Sequence, residues 1–290
     1  MTSPDPDDHS PAPTAAPRGR ARRRLRLLPA GLAVVVAAAG PVAAGCGGDD
    51  GGGGDQASTD PTSTGTPSTA VPVVDLGDGG RYDPAIDPAD FAEGVDHPFL
   101  PLSPGSRWVY EGTGGGETER VEVAVTDDRR EVMGIPVVVV RDTVTVDGEL
   151  AEDTFDWFAQ DREGNVWYMG EDSTEYENGE PASSEGSWEA GVDGALPGIV
   201  MPADPQVGDA FRQEFYAGEA EDMAEILAVD GTARVPFGRF DDLLVTEDWN
   251  PLEPEVVEEK SYARGIGLVL EVHTAGGDGR VELIEHTPGG

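Results

Sequence analysis

The chain has 290 residues and a formal charge of −38, from 19 Lys+Arg against 57 Asp+Glu. That balance argues against nucleic acid or an anionic lipid surface as a partner of the folded part, because neutralising phosphates takes clustered Lys and Arg. A single cysteine, Cys46, excludes a disulfide framework and a cysteine-based zinc site.

Residues 1–17 are polar and Pro-rich, and a basic run follows at Arg18, Arg20, Arg22, Arg23, Arg24 and Arg26. An apolar stretch from Leu27 to Gly45 ends in the small residues Ala43, Ala44 and Gly45 just before Cys46. A positive region, an apolar region and small residues before a cleavage point are the three parts of an export signal. Ala43-Ala44-Gly45-Cys46 resembles a bacterial lipobox. The resemblance implies cleavage before Cys46, a diacylglycerol on its thiol, and attachment to the extracytoplasmic face of the cell membrane. An uncleaved apolar anchor and ordinary secretion are the alternatives, and the arginines leave export by the general or the twin-arginine route open. Cleavage would remove six Arg and three Asp, leaving 13 Lys+Arg against 54 Asp+Glu.

Residues 46–80 are dominated by Gly, Ser, Thr, Pro and Asp. Such a composition cannot repay the entropy of ordering and predicts a disordered linker. As a flexible coil it would reach about 30–35 Å. None of the aromatic residues precedes Tyr82, so a core can be built only over 81–290.

Within that region Asp87–Glu93 predicts one helical turn, with Asp87 as cap and Pro88 at its first position. Alternating or Val/Thr-rich segments then predict strands at Ser106–Gly112, Glu117–Asp127, Pro136–Val146, Leu150–Gln160 and Val166–Gly170, with Asp147-Gly148 as a two-residue hairpin turn. Further strands are expected at Ala210–Tyr216, Ala220–Val229, Thr232–Val235, Leu243–Trp249, Val256–Ala263, Gly267–His273 and Gly279–His286. Strands at this spacing without helices between them predict an all-β, mainly antiparallel fold, a curved meander sheet or half-barrel. Gly191–Gly208, with three Pro and four Gly, reads as a long irregular loop. Its plain reading is a crossing of the open face or end of the sheet that tucks Ile199, Val200 and Met201 against it; loops of that length are also often functional, which would make Asp193 and Met201, with Trp188 just before them, candidate binding residues. At an offset of 104 residues Val125 maps to Val229, Gly134 to Gly238 and Ala159 to Ala263, which reads either as an internal duplication of one meander or as an accidental match between β-rich segments.

Several blocks resemble an uncharacterised bacterial family of exported and lipid-anchored β-proteins: Phe91–Gly112 (FAEGVDHPFLPLSPGSRWVYEG), Ala151–Glu171, Gly186–Asp209 and Glu258–Val272. Val235–Asp248 resembles a turn-and-strand of curved-sheet lipoproteins of the half-barrel kind. The resemblance implies the domain boundary and the fold, and carries no activity.

Chemistry is sparse. His97, His273 and His286 are scattered and read as structural or surface residues, and neither a nucleophile elbow nor a phosphate loop is present. Carboxylates are too many for any pair to be diagnostic. A hydrolase could use two of Asp156, Glu171 and Glu189 beside Trp157, Trp167 and Trp188. No complete calcium loop occurs, Asp161-x-Glu163-Gly164-Asn165 supplying a fragment, and Asp241-Asp242 and Glu258-Glu259 read as solvated edges. The expectation is therefore a non-catalytic binding domain without cofactor or metal, held at the membrane through Cys46 and taking a hydrophobic small molecule or an envelope protein. A carbohydrate-active hydrolase is the alternative.

Overall fold

The computed structural model describes residues 82–290, so the export signal, Cys46 and the linker lie outside the described residues. A 3-10 turn at Pro88–Asp90 opens the domain, with the Asp87 carboxylate accepting from the Ala89 amide. Two short strands, β1 (Asp96–His97) and β2 (Leu100–Pro101), form a separate hairpin. From there the period-two alternation of the sequence becomes strand: β3 (Arg107–Gly114), β4 (Glu117–Val125), β5 (Arg130–Val132), β6 (Ile135–Val146), β7 (Glu149–Gln160) and β8 (Val166–Glu177). The short β9 (Glu180–Ser183), β10 (Trp188–Glu189), β11 (Leu196–Met201), β12 (Ala210–Arg212) and β13 (Glu214–Phe215) come next. The chain ends with β14 (Met223–Val235), β15 (Gly238–Trp249), β16 (Val257–Ala263), β17 (Gly267–Ala275) and β18 (Arg280–Thr287).

These strands form one antiparallel sheet in the order β12-β14-β15-β16-β17-β18-β3-β4-β6-β7-β8-β11-β13, with β5, β9 and β10 as side additions. The all-β meander is as expected. The hydrogen-bonded ladder is not closed into a barrel: its two end strands, β12 and β13, are consecutive in the chain, and only Gln213 separates them. At Asp147-Gly148 both residues have positive φ (52° and 83°), the twist that joins two strands tightly.

The structure corrects three sequence expectations. Gly191–Gly208 is not an irregular loop, because its apolar centre is β11, paired with both β8 and β13. Gly198 permits this: a Cβ there would lie 2.2–2.5 Å from the backbone of Gln213 and Glu214, so only glycine lets the end of the sheet come so close. Ala210–Tyr216 is split at Gln213 into β12 and β13. Ala220–Val229 and Thr232–Val235 are one strand, β14, with register shifts around Ala228 and Gly231. There a Cβ on Gly231 would meet Val245 Cγ2 at 2.5 Å, so that glycine marks a bulge and not a turn.

At a shift of 104 residues β6, β7 and β8 fall on β15, β16 and β17, each set a run of consecutive antiparallel neighbours. The apolar core gathers Trp108, Tyr110, Phe158, Tyr168, Phe211, Met169, Ile199 and Met201, all essentially inaccessible. A buried aromatic ring with a polar tip needs a hydrogen-bond partner for that tip, and the core supplies them. Trp108 Nε1–H donates to the Ile266 carbonyl (2.7 Å) and the Tyr110 hydroxyl to that of Leu268 (3.1 Å).

Candidate functional site

Alternation places every second residue of a strand on one face. On three adjacent strands the residues so placed are charged. Register sets Asp248 of β15 opposite Glu258 of β16, and Glu258 opposite His273 of β17. In the next row Thr246 faces Lys260, and Lys260 faces Glu271. Asp248, Glu258, Lys260 and Glu271 are each at most 5% exposed. Lys260 is the only lysine of the chain. Its Nζ lies 3.3 Å from Asp248 Oδ2, 3.5 Å from Glu258 Oε2 and 4.0 Å from Glu271 Oε2.

The other members fix this arrangement. His273 Nε2 lies 3.0 Å from Glu258 Oε1. Thr246 donates its hydroxyl proton to Asp248, and Gln213, the residue between the two ends of the sheet, donates from Nε2 to Asp248 Oδ2 (3.1 Å). Like charges directly across a strand pair repel. Asp248 and Glu258 are tolerated opposite each other because one ammonium sits between them.

A second group of acids lies on β7, β8, β13 and the segment before β14. Asp156 and Glu171 are direct cross-strand partners, and the Tyr168 hydroxyl donates to Asp156 Oδ1 (2.8 Å). Glu214 and Asp222 extend the group, with the Trp188 indole N–H beside Glu214. Lys260 acts electrostatically on Asp222, and among the described residues no cation acts on the other three. Nine carboxyl side chains in all, with Glu119 and Asp142, are at most 4% exposed among the described residues, against two buried cations, Arg212 and Lys260. Arg212 is turned away to Glu221 (3.9 Å) and over the Phe215 ring.

The two groups hold their protons differently. Burial, then the neighbouring Glu152 charge, raises Asp156 to about 7, the Tyr168 hydroxyl holding it back. Burial and the Asp156 charge push Glu171 well above the carboxylate range, and burial with Asp222 and Glu171 does the same for Glu214. Burial also pushes Glu258 up, but Lys260 and His273 outweigh it and hold that carboxyl below its usual value. Glu271 is raised by burial and by Glu258, which Lys260 only partly offsets. Lys260 itself, despite burial, is held firmly protonated by Asp248, Glu258 and Glu271.

The residues singled out from the sequence do not converge. Trp188 is buried on β10 opposite Glu171, its ring edge-on to Tyr168. Met201 is buried at the end of β11 opposite Val166, and Asp193 stands exposed in a turn with φ of 51°. Asp156 and Glu171 do meet, as the hydrolase alternative needs, but Trp157, Trp167 and Trp188 are at most 7% exposed, so none of these three lies open as a sugar platform. The Asp161 fragment is self-satisfied: its carboxylate accepts from the Gly164 and Asn165 amides, Asn165 Nδ2 and Trp167 Nε1. Asp241-Asp242 are exposed, as expected; Glu258 is not a solvated edge but is 1% exposed. His273 is no isolated structural histidine. The sequence signal for this cluster was the single lysine within an alternating Glu-x-Lys-x-Tyr strand, followed by Glu-x-His on the next.

No family model matches the chain, and no curated protein matches it. Among solved structures, that of a candidate lipoprotein from Parabacteroides distasonis is similar at 13% identity and a TM-score of 0.37, over 65% of this chain and 98% of that one. A likeness that weak carries no argument about this protein.

Proposed function

We propose that this chain is a lipid-anchored, non-catalytic binding domain of the bacterial cell envelope, held at the extracytoplasmic face of the membrane through Cys46. The observation that carries the anchor is the position of that cysteine, the only one present, directly after small residues at the end of the apolar stretch. The sequence blocks that resemble exported and lipid-anchored β-proteins support it. The binding role rests on the inner face of the sheet, where charged side chains stand sealed from solvent in excess of what folding needs. Such an interior favours a cationic ligand over the hydrophobic molecule that an apolar face would have cradled. Catalysis by the Asp156–Glu171 pair is disfavoured because its tryptophans are buried and both carboxyls share one dry environment.

Metabolic labelling with a fatty acid tests the anchor. The full chain takes up label and partitions with membranes, and Cys46→Ser loses both. Undiminished labelling of Cys46→Ser would remove the anchor from this proposal.

A further inference from the structure

Glu258, Glu271 and His273 each offer one ligand atom, and the three atoms lie within 4.8 Å of one another. We propose that they form a binding site for a first-row divalent transition-metal ion, with Zn²⁺ as the simplest occupant. This deepens the binding role assigned above and is independent of the lipid anchor.

Three observations carry it. The first is which oxygens remain available. Lys260 approaches Oε2 of both glutamates, at 3.5 and 4.0 Å, longer than the roughly 2.7–2.9 Å of a tight charge-assisted bond. Glu258 Oε1 lies instead 3.0 Å from His273 Nε2, and Glu271 Oε1 has no hydrogen-bond partner although Glu271 is 1% exposed. A carboxyl oxygen left bare at that depth costs folding energy unless something binds it.

The second is spacing. Ligand atoms about 2.0–2.2 Å from one ion stand roughly 3.0–3.5 Å apart, so the Glu258–His273 contact is already at coordination distance. The third is charge. Three carboxyl groups, Asp248, Glu258 and Glu271, stand around one ammonium, so that with all three ionised, as ligation requires of the two glutamates, a divalent ion balances the cluster, since a metal-bound imidazole is neutral.

The donor set selects the class of ion. Calcium asks for six to eight oxygens, and magnesium retains most of its water. One imidazole nitrogen with two carboxylates suits zinc and its neighbours. Tyr110 and Glu119, which help line a surface hollow of about 240 Å³, act electrostatically on Glu271, but none of the three ligand residues lines that hollow.

The test uses the full chain, extracted in detergent, stripped with a chelator and titrated calorimetrically with Zn²⁺. One equivalent is expected to bind. His273→Ala and the near-isosteric Glu271→Gln should each lower affinity at least about tenfold, and a tenfold excess of Ca²⁺ should not compete. Loss of the equivalent in wild type, unchanged affinity in both variants, or displacement by Ca²⁺ would each overturn the site. Should a variant fail to fold, Co²⁺ added to the wild-type chain decides: an intense visible spectrum of a low-coordinate N/O site supports it, and the weak spectrum of the aqua ion overturns it. Native mass spectrometry of the chain isolated from its membrane separates the two levels. A bound metal supports both, an organic ligand without metal removes only this site, and a bare mass removes the binding role as well.

Discussion

Asp156, Glu171, Glu214 and Asp222 on one side, and Asp248, Glu258 and Glu271 on the other, are acids of the same kind, buried to the same depth within one sheet. In the first group a tyrosine hydroxyl and an indole stand beside Asp156 and Glu214, Lys260 reaches only Asp222, and all four carboxyls are pushed toward their neutral forms. The second surrounds Lys260, and there Glu258 is held ionised in spite of burial. Burial is therefore not what separates them. A desolvated carboxyl keeps its charge where more than one cationic or donor group stands close, as Lys260 and His273 do to Glu258; Glu271, 4.0 Å from the same ammonium and beside the Glu258 charge, is pushed up all the same.

Removing the cation is the strongest way to break that contrast. Lys260→Met leaves Asp248, Glu258 and Glu271 without their counter-charge and should cost about 3–5 kcal/mol in urea unfolding at pH 8. A loss below 1 kcal/mol would mean that Lys260 does not organise the cluster.

The first group sets a dependence on pH. Asp156 binds its proton up to about 7 in the folded chain, against an ordinary carboxyl value of 3.8. Between those limits the folded state holds more protons than the unfolded one, so this contribution to stability is complete at low pH and is lost as pH rises through the window. The slope is at most about 1.4 kcal/mol per pH unit for each extra proton. Unfolding measured from pH 5 to pH 8 in chelator should show the decline, and Asp156→Asn should flatten part of it. A wild-type profile that rises with pH, or an Asp156→Asn profile parallel to it, would sink this account. The control is an exposed pair: Arg239 and Asp241, 3.5 Å apart with side chains 71% and 63% exposed, should matter little. Arg239→Ala should stay within about 0.5 kcal/mol of wild type.

Much of the fold was legible because alternation and turn chemistry are local. Asp147-Gly148 marked its hairpin, and Asp87-Pro88 its 3-10 turn. Failures fell where long-range contact decides. Pro197-Gly198 signals a loop by itself, and becomes strand only because the Gln213–Glu214 backbone lies against it. The break expected between Val229 and Thr232 falls at Gly231, and nothing in the sequence tells that Val245 crowds that glycine within one strand.

The charged cluster was hidden by its own chemistry. A strand reading Val-Glu-Glu-Lys suggests a solvated edge, since the apolar-in rule assumes that charges point out. Here β16 lies between β15 and β17, and the glutamate that turns inward meets a lysine two residues on and a histidine across the ladder. Trp188 and Met201, named as candidate binding residues in and just before an apparent loop, are held in the core, Met201 against the sheet as the plain reading of that segment has it. Cys46 and its export signal belong to the sequence alone.

That the single lysine is buried has a practical consequence. The folded residues present no side-chain amine to solvent, so amine-directed cross-linkers, acylating labels and lysine-cleaving proteases should find no target in the native domain. Reaction at Lys260 would require β16 to separate from its neighbours. The chain thus carries one chemical reporter of its own opening, silent while the sheet is intact and readable as a single added mass when it is not.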